Sequence, residues 1–487
     1  MLKQLHNTFF TKLRTPFLKN SFWGVLSNVL QNLLFSAVFV IITRKFSTTD
    51  FASYILANTL YAFVVAFSSL GLGQWFIREL LSTEDKKLLI NKFFKIQIIV
   101  GVFFFGINIL IAQLLYEDQL IKTLSLIIGI NIIFDNIIFV IKHINIAHLE
   151  QIKTFKIITI EAFLKLIVAC SLFIYATPIV YISILFVLLR LITLNLFVRI
   201  GSSKQINLQD IVQAKVSKEE LKQLIYSNWP FVVIGSISVI YWGIGKIIIS
   251  KMLPLEAVAH YDISLKLWSI VVIVPVILTT TLFPLLIKSI NSSAKEFQSL
   301  YRRTFLIYTV FGIFMYTIIQ AFSDFIIPYL FGERYFETPQ YCKEMFLTIL
   351  LFPTALLQAN VLIAMKLEKL DMWFNTISLV AVCVGCFVGL YFLESLSAVN
   401  YSIFFSFLIF HILQDIVLVK NKITTLAHTL SFYAASTAFL VSYYMLSSIF
   451  DTYYLLMTYW IILFAVLVIK NADMLKIKIR LSFKNML

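Results

Sequence analysis

About 14 apolar runs of roughly 20 residues each fill this chain, and no other feature restricts its fold so severely. A run of that length can cross a bilayer. In lipid, every backbone N–H and C=O must find its partner within the protein, so such a chain folds as a bundle of membrane-spanning α-helices. The runs cover 22–43, 51–71, 94–115, 119–141, 157–177, 178–198, 228–250, 264–287, 304–328, 344–365, 372–393, 397–419, 428–449 and 453–469. Composition agrees with lipid as the solvent. Of the 487 residues 60% are hydrophobic and 13% charged, against about 45–50% and about 25% in soluble domains. The first run is too long for the core of a cleaved leader and has no small-residue cleavage site after it. It reads as the first span.

The net charge of +15 is distributed as topology requires, because Lys and Arg gather on the cytoplasmic side of a membrane. A cytoplasmic N-terminus carries Lys3, Lys12, Arg14 and Lys19. The alternate segments then hold, among others, Arg78, Lys86 and Lys87; Lys142, Lys153 and Lys156; Arg199 and Lys204; and Lys470 and Lys476. That side takes about 30 basic residues and the opposite loops about six. An even number of spans returns the C-terminus to the cytoplasm. No soluble basic domain is present to hold nucleic acid, which excludes that partner.

The longest polar stretch, 199–226, separates six spans from eight. The expected fold is all-α and polytopic: about 14 transmembrane helices in two six-helix bundles plus two extra C-terminal helices. The first bundle occupies 1–200, a cytoplasmic linker 201–226, the second bundle 227–420, and two additional helices with a basic tail 421–487. Cys383 and Cys386 form a C-x-x-C inside an apolar run. No second pair completes a metal site, and nothing suggests a disulfide framework.

Two stretches six spans apart echo each other. Lys45 is followed by Asp50 and Phe51-Ala52-Ser53-Tyr54, and Lys251 by Glu256 and Val258-Ala259-His260-Tyr261. An even separation gives both copies one orientation, as in transporters built from parallel repeats. Chance is the rival reading of so short a match.

Four blocks carry a wider likeness. They are Thr43 to Tyr54; Ser69-Leu70-Gly71-Leu72-Gly73 with Arg78-Glu79; Leu221 through Trp229-Pro230 to Ile247, then Tyr261 and Leu282-Phe283-Pro284; and Phe331-Gly332-Glu333-Arg334-Tyr335. In this order they resemble the O-antigen type polysaccharide flippases of the multidrug/oligosaccharidyl-lipid/polysaccharide exporter superfamily. Ala52 and Ala259 stand where the family usually has Gly. Gly245 stands where many members carry Asp, which puts an inherited ion-coupling role for the seventh span in doubt.

Ionisable groups at bilayer depth are costly and mark candidate sites. Asp135, Glu161, Lys165 and Arg190 fall in the cytoplasmic half or near the midplane of the first bundle. Glu161 and Lys165, at i and i+4, can pair directly. Two readings stand. One is a buried ion-pair network that joins helices. The other, adopted here, is a water-filled cavity in which Arg190 and Lys165 attract a diphosphate, since the planar Arg fork grips phosphate oxygens. Asn28, Asn32 and Ser36, with Gln31 beside them, gather on one side of the first span. They either join helices by hydrogen bonds or line a sugar path. His411, Gln414 and Asp415 fall within about one turn of the twelfth span, where a proton relay is conceivable.

The resemblance implies a substrate and a place. The substrate is an undecaprenyl-diphosphate-linked oligosaccharide, carried from the cytoplasmic to the outer leaflet of a bacterial inner membrane by alternating access. Arg190, Lys165, Asn28, Gln31 and Asn32 are the candidate substrate-binding residues. Asp135, Glu161, His411 and Asp415 are the candidates for coupling or ion pairing. The implied partners are the lipid-linked oligosaccharide, membrane lipids and neighbouring polysaccharide polymerases or glycosyltransferases. No cofactor, metal or catalytic residue is expected: no Walker phosphate loop and no G-x-S-x-G nucleophile motif is present. Without an ATP site, transport draws on a gradient or on downstream flux. Two rivals remain, a drug/cation antiporter of the same superfamily and a membrane enzyme acting on lipid-linked sugars.

Overall fold

Polar residues between the apolar runs fix where helices start. In the computed structural model, which describes residues 16–201 and 208–465, Ser47 accepts from the Asp50 amide at 3.1 Å and opens the second helix. Asp85 accepts from Leu88 N at 3.0 Å. Asp118 takes the amides of Leu120 and Ile121 at 2.6 and 3.1 Å. Ser217 and Glu220 form a reciprocal capping box. Each cap satisfies amides that a helix N-terminus leaves without a carbonyl.

The helices in chain order are α1 Pro16–Lys45, α2 Thr48–Ser68, α3 Gly73–Ser82, α4 Lys86–Leu115, α5 Gln119–Gly129, α6 Asn131–Ala147, α7 Gln151–Cys170, α8 Ile179–Ile200 and α9 Leu208–Gln213. They continue as α10 Lys218–Met252, α11 Glu256–Ser292, α12 Ala294–Phe331, α13 Thr338–Met345, α14 Phe352–Ala364, α15 Glu368–Leu393, α16 Leu396–Lys420 and α17 Leu426–Ser447. A shorter helix, α18, covers Thr452–Ala465. No strand occurs among the described residues. Eleven helical stretches among them are long and apolar enough to cross a membrane.

Each predicted span overlaps helix, although only eleven stretches meet the length and hydropathy of a span and the last prediction, 453–469, runs past the described residues. One prediction shifts. The span expected at 157–177 is helix over Gln151–Cys170, ends in a single 3-10 turn at Ser171–Phe173, and leaves extended chain before α8. Residues 171–177 are still apolar enough to extend a hydropathy window. Thr177 precedes Pro178, however, and a residue before proline is driven out of the helical region.

The described residues pack as two units. Unit 1 runs to Asp262 and takes in Cys386–Leu396; unit 2 holds Ile263–Gly385 and the chain from Ser397. In unit 1, α1 lies along α7, α4 along α6, α7 along α8, and α2 against both α5 and α10. Short, amphipathic α3 seats Leu72, Phe76 and Leu80 on Phe93, Ile141 and Phe197. The Phe76 and Phe93 rings stack at 4.0 Å.

The Leu70-Gly71-Leu72 block has a backbone cause. Gly71 is left-handed at φ +62°, and a Cβ there would come within 2.7 Å of the Phe231 carbonyl carbon and the Val232 nitrogen in α10. Glycine is what lets α10 pass so close.

The linker is pinned to α4 by lysines that the sequence presents as topology charges. Lys87 meets Asp210 at 2.6 Å and Lys92 meets Glu220 at 2.9 Å. Lys95 donates to the carbonyls of Val212 and Ala214 at 2.7 and 2.8 Å.

Candidate functional site

Four of the predicted residues converge in unit 1. Glu161 lies ten residues from the start of α7 and Arg190 ten from the end of α8. At 1.5 Å per residue, both stand about 15 Å along their helices, level with each other. Lys165 is one turn beyond Glu161 and pairs with its Oε1 at 2.8 Å. Arg190 is clamped between two acids. Its Nε reaches Asp135 Oδ1 at 2.8 Å, one terminal nitrogen bonds the same carboxylate, and the other bonds Glu161. Tyr61 of α2 donates its hydroxyl to the second Asp135 oxygen. The guanidinium fork expected to hold phosphate is thus already occupied by protein.

Tyr61, Glu161, Lys165 and Arg190 border a cavity of about 290 Å³ lined also by Tyr54, Asn58, Asn131 and Lys142. Lys142 makes no ion pair or hydrogen bond with any described residue. Three cations (Lys142, Lys165, Arg190) line it with Glu161, and Asp135 is paired with Arg190 beside it, so one positive charge is in excess. Asn131 leaves its buried Oδ1 without a partner among the described residues. Lys165 also stands 5.7 Å from the Phe35 ring and 5.9 Å from the Phe186 ring, the range of cation–π attraction. An unfilled cation beside an occupied ion-pair clamp is a place where an anion can enter without dismantling the fold.

The polar residues of α1 do not join this cavity. Gln31 is buried and stitches α1 to α7: it donates to Ser27 Oγ at 2.6 Å and Thr159 Oγ1 at 3.3 Å, and Ser27 meets Thr159 at 3.0 Å. Asn32 and Asn28 are exposed, and Asn32 donates to the Asn28 carbonyl at 2.8 Å. Farther along unit 1, Lys246 is held by Asp262 at 2.5 Å.

A second buried cluster forms in unit 2. His411 and Asp415, both on α16, pair through Nδ1 and Oδ2 at 2.9 Å. Tyr433 of α17 donates to the same oxygen at 2.8 Å, and Gln358 of α14 donates to Oδ1 at 2.7 Å. Thr354 Oγ1 gives its proton to the Leu351 carbonyl at 2.8 Å and lies 3.0 Å from His411 Nε2. Nδ1 also lies 2.8 Å from the Tyr433 hydroxyl. The Nδ1 contact sets the ring against the Asp415 carboxylate. Gln414 points elsewhere, toward Asp371 at 3.4 Å.

Comparison with known proteins places this arrangement. The family described as "Polysaccharide biosynthesis protein" matches residues 17–290, more than half of the chain. The chain belongs to that family. No curated protein sequence matches it. Among solved structures, "Lipid II flippase MurJ, inward closed conformation" superposes with a TM-score of 0.71 at 13% identity, covering 94% of this chain and 100% of that one. A multidrug resistance MATE family transporter of the MOP superfamily, inward-facing, gives 0.66 at 10% identity over 80% and 94%. A MOP superfamily transporter from Pyrococcus furiosus gives 0.57 at 12% identity over 84% and 95%. At such identities the likeness establishes the fold, that of multi-pass membrane transporters and flippases.

Within this polysaccharide biosynthesis protein, sequence reasoning overlooked Lys142 and Tyr61. Lys142 was counted among the cytoplasmic loop charges. Yet Asn131, Asp135 and Lys142 recur at i, i+4 and i+11 on one face of α6, and Tyr54, Asn58 and Tyr61 at i, i+4 and i+7 on one face of α2. Those helical periods were the available signal.

Proposed function

We propose that the chain is a flippase that carries an undecaprenyl-diphosphate-linked oligosaccharide from the cytoplasmic to the outer leaflet of a bacterial inner membrane, with both termini in the cytoplasm. Family membership supports the saccharide, and alternate loops rich in Lys and Arg support the orientation. The observation that carries the reading is Lys142, a cation without an ion-pair partner in a cavity with one positive charge in excess. Lys142 and Lys165 would hold the diphosphate, and Arg190 would keep the cavity shaped by binding Asp135 and Glu161. Asn28 and Asn32 would meet the sugar path only from the exposed face of α1, and Gln31 would serve as helix glue. Alternating access would expose the cavity to each side in turn. His411 and Asp415 would supply coupling, since their shared proton can leave only if Thr354 or Tyr433 rearranges.

The drug/cation antiporter reading calls for carboxylates free to receive a cation, whereas both carboxylates of this cavity are already paired. An enzyme acting on lipid-linked sugars calls for a catalytic set that the sequence does not carry. Polymerases and glycosyltransferases would then be neighbours that make the substrate and consume the product. The test is reconstitution of the full chain in vesicles with a fluorescent lipid-linked oligosaccharide from the source cells. Substrate should become accessible to a membrane-impermeant periodate reagent faster than in protein-free vesicles. Equal rates would contradict the flippase reading.

A further inference from the structure

The cavity of about 290 Å³ lies at the lower edge of small-molecule pockets, which run from about 300 to 1,000 Å³. It admits a headgroup and leaves a chain of sugars to lie elsewhere. A second concavity, of about 840 Å³, is lined wholly by unit 2 residues. It opens between the C-terminal end of α12, α13, the N-terminal end of α16 and the C-terminal end of α17. Those ends share the side that carries loops 332–337, 394–395 and 448–451, the side that the basic residues assign to the exterior.

Its lining has the chemistry of sugar recognition. Tyr316, Tyr341, Tyr401 and Tyr444 line it. A pyranose offers a flat face of C–H bonds that packs on an aromatic ring, and its hydroxyls donate to carboxylates and exchange bonds with amides. The carboxylates are Asp324, Glu337 and Glu344, and the amides are Gln320 and Gln340. Glu344 is held in place by Ser397 at 2.8 Å and Asn400 at 3.1 Å, so its position is fixed before any ligand arrives. Lys343 is the lining cation, and Asp324 binds it at 2.6 Å. Three carboxylates against one lysine repel a diphosphate and accept hydroxyl donors.

An interfacial aromatic belt would explain Tyr444, which is 82% exposed. It does not explain Tyr316, 7% exposed at the base of the groove, or three acids and two amides gathered around the rings. We propose that this groove binds the saccharide portion of the transported lipid, as an uncharged sugar chain, at the outer end of unit 2. The proposal rests on the flippase reading above.

The test is calorimetric titration of the purified full chain in detergent with two probes. One is the reducing saccharide that mild acid releases from the lipid-linked pool of the source cells; the other is inorganic pyrophosphate. The variant is Tyr401→Ala with Tyr444→Ala, two side chains exposed enough (41% and 82%) to be removed without opening the core. Saccharide affinity should fall roughly tenfold or more, Tyr401→Phe with Tyr444→Phe should keep most of it, and pyrophosphate affinity should not change. A Tyr-to-Ala pair that binds saccharide like the native chain overturns the groove and leaves the flippase reading intact. A native chain that binds pyrophosphate but not saccharide also overturns the groove. Binding of neither probe overturns the flippase reading and the groove with it.

Discussion

In unit 1, Arg190 is locked between Asp135 and Glu161, while Lys142 makes no ion pair or hydrogen bond with a described residue. In unit 2, His411 bonds Asp415, and every ring nitrogen and carboxylate oxygen of the pair has a bond. Both clusters are buried, both join three helices, and both would look alike in a list of intramembrane charges. The difference lies in what is left unfilled. A cluster with a charge to spare can take a ligand, whereas one whose every polar atom is bonded can hold helices or pass a proton. The groove proposed for sugar adds a third kind, acidic and aromatic, that suits neither phosphate nor proton.

The sharpest way to break that contrast is at Arg190. Arg190→Ala leaves two buried carboxylates with one fewer counter-charge, and breaking such a pair costs about 3–5 kcal/mol. A thermal melt in detergent should show that loss. Near-native melting would mean that Arg190 is not the structural clamp described here. Removing both Asp135 and Arg190 should cost less than removing Arg190 alone, since no charge is then stranded.

A smaller effect is expected in unit 2. His411→Gln removes the ring's bond to Asp415, a loss of about 1.5–3 kcal/mol for a hydrogen bond to a charged group. In vesicles, an imposed proton gradient should accelerate the native chain and leave the variant's rate unchanged. A variant that still responds to the gradient would locate coupling elsewhere.

The spans were legible because a bilayer demands long apolar runs, and that demand is one-dimensional. Depth along a helix likewise brought Asp135, Glu161, Lys165 and Arg190 into view. What spacing could not show was which helices approach. The i, i+4 geometry paired Glu161 with Lys165 correctly, but Arg190 reaches Glu161 from another helix and Asp135 from a third. Lys142 was hidden for a different reason: it lies near the C-terminal end of α6, where a lysine reads as topology. Gln31 sat on the right face to join helices, and only the Thr159 contact distinguishes that role from a sugar path. The groove in unit 2 draws on four helices, so no local window contains it.

The smallest structural effect is expected at Lys142, and it carries the most functional weight. Lys142→Ala breaks no ion pair or hydrogen bond and removes a desolvated charge, so the variant should melt no lower than the native chain. The decisive measurement is titration of the purified chain with inorganic pyrophosphate, native against Lys142→Ala. Loss of roughly tenfold in affinity, about 1.4 kcal/mol, with a melt no lower than native is the predicted result. Equal affinity in the two proteins would contradict the assignment of this cavity as the diphosphate site.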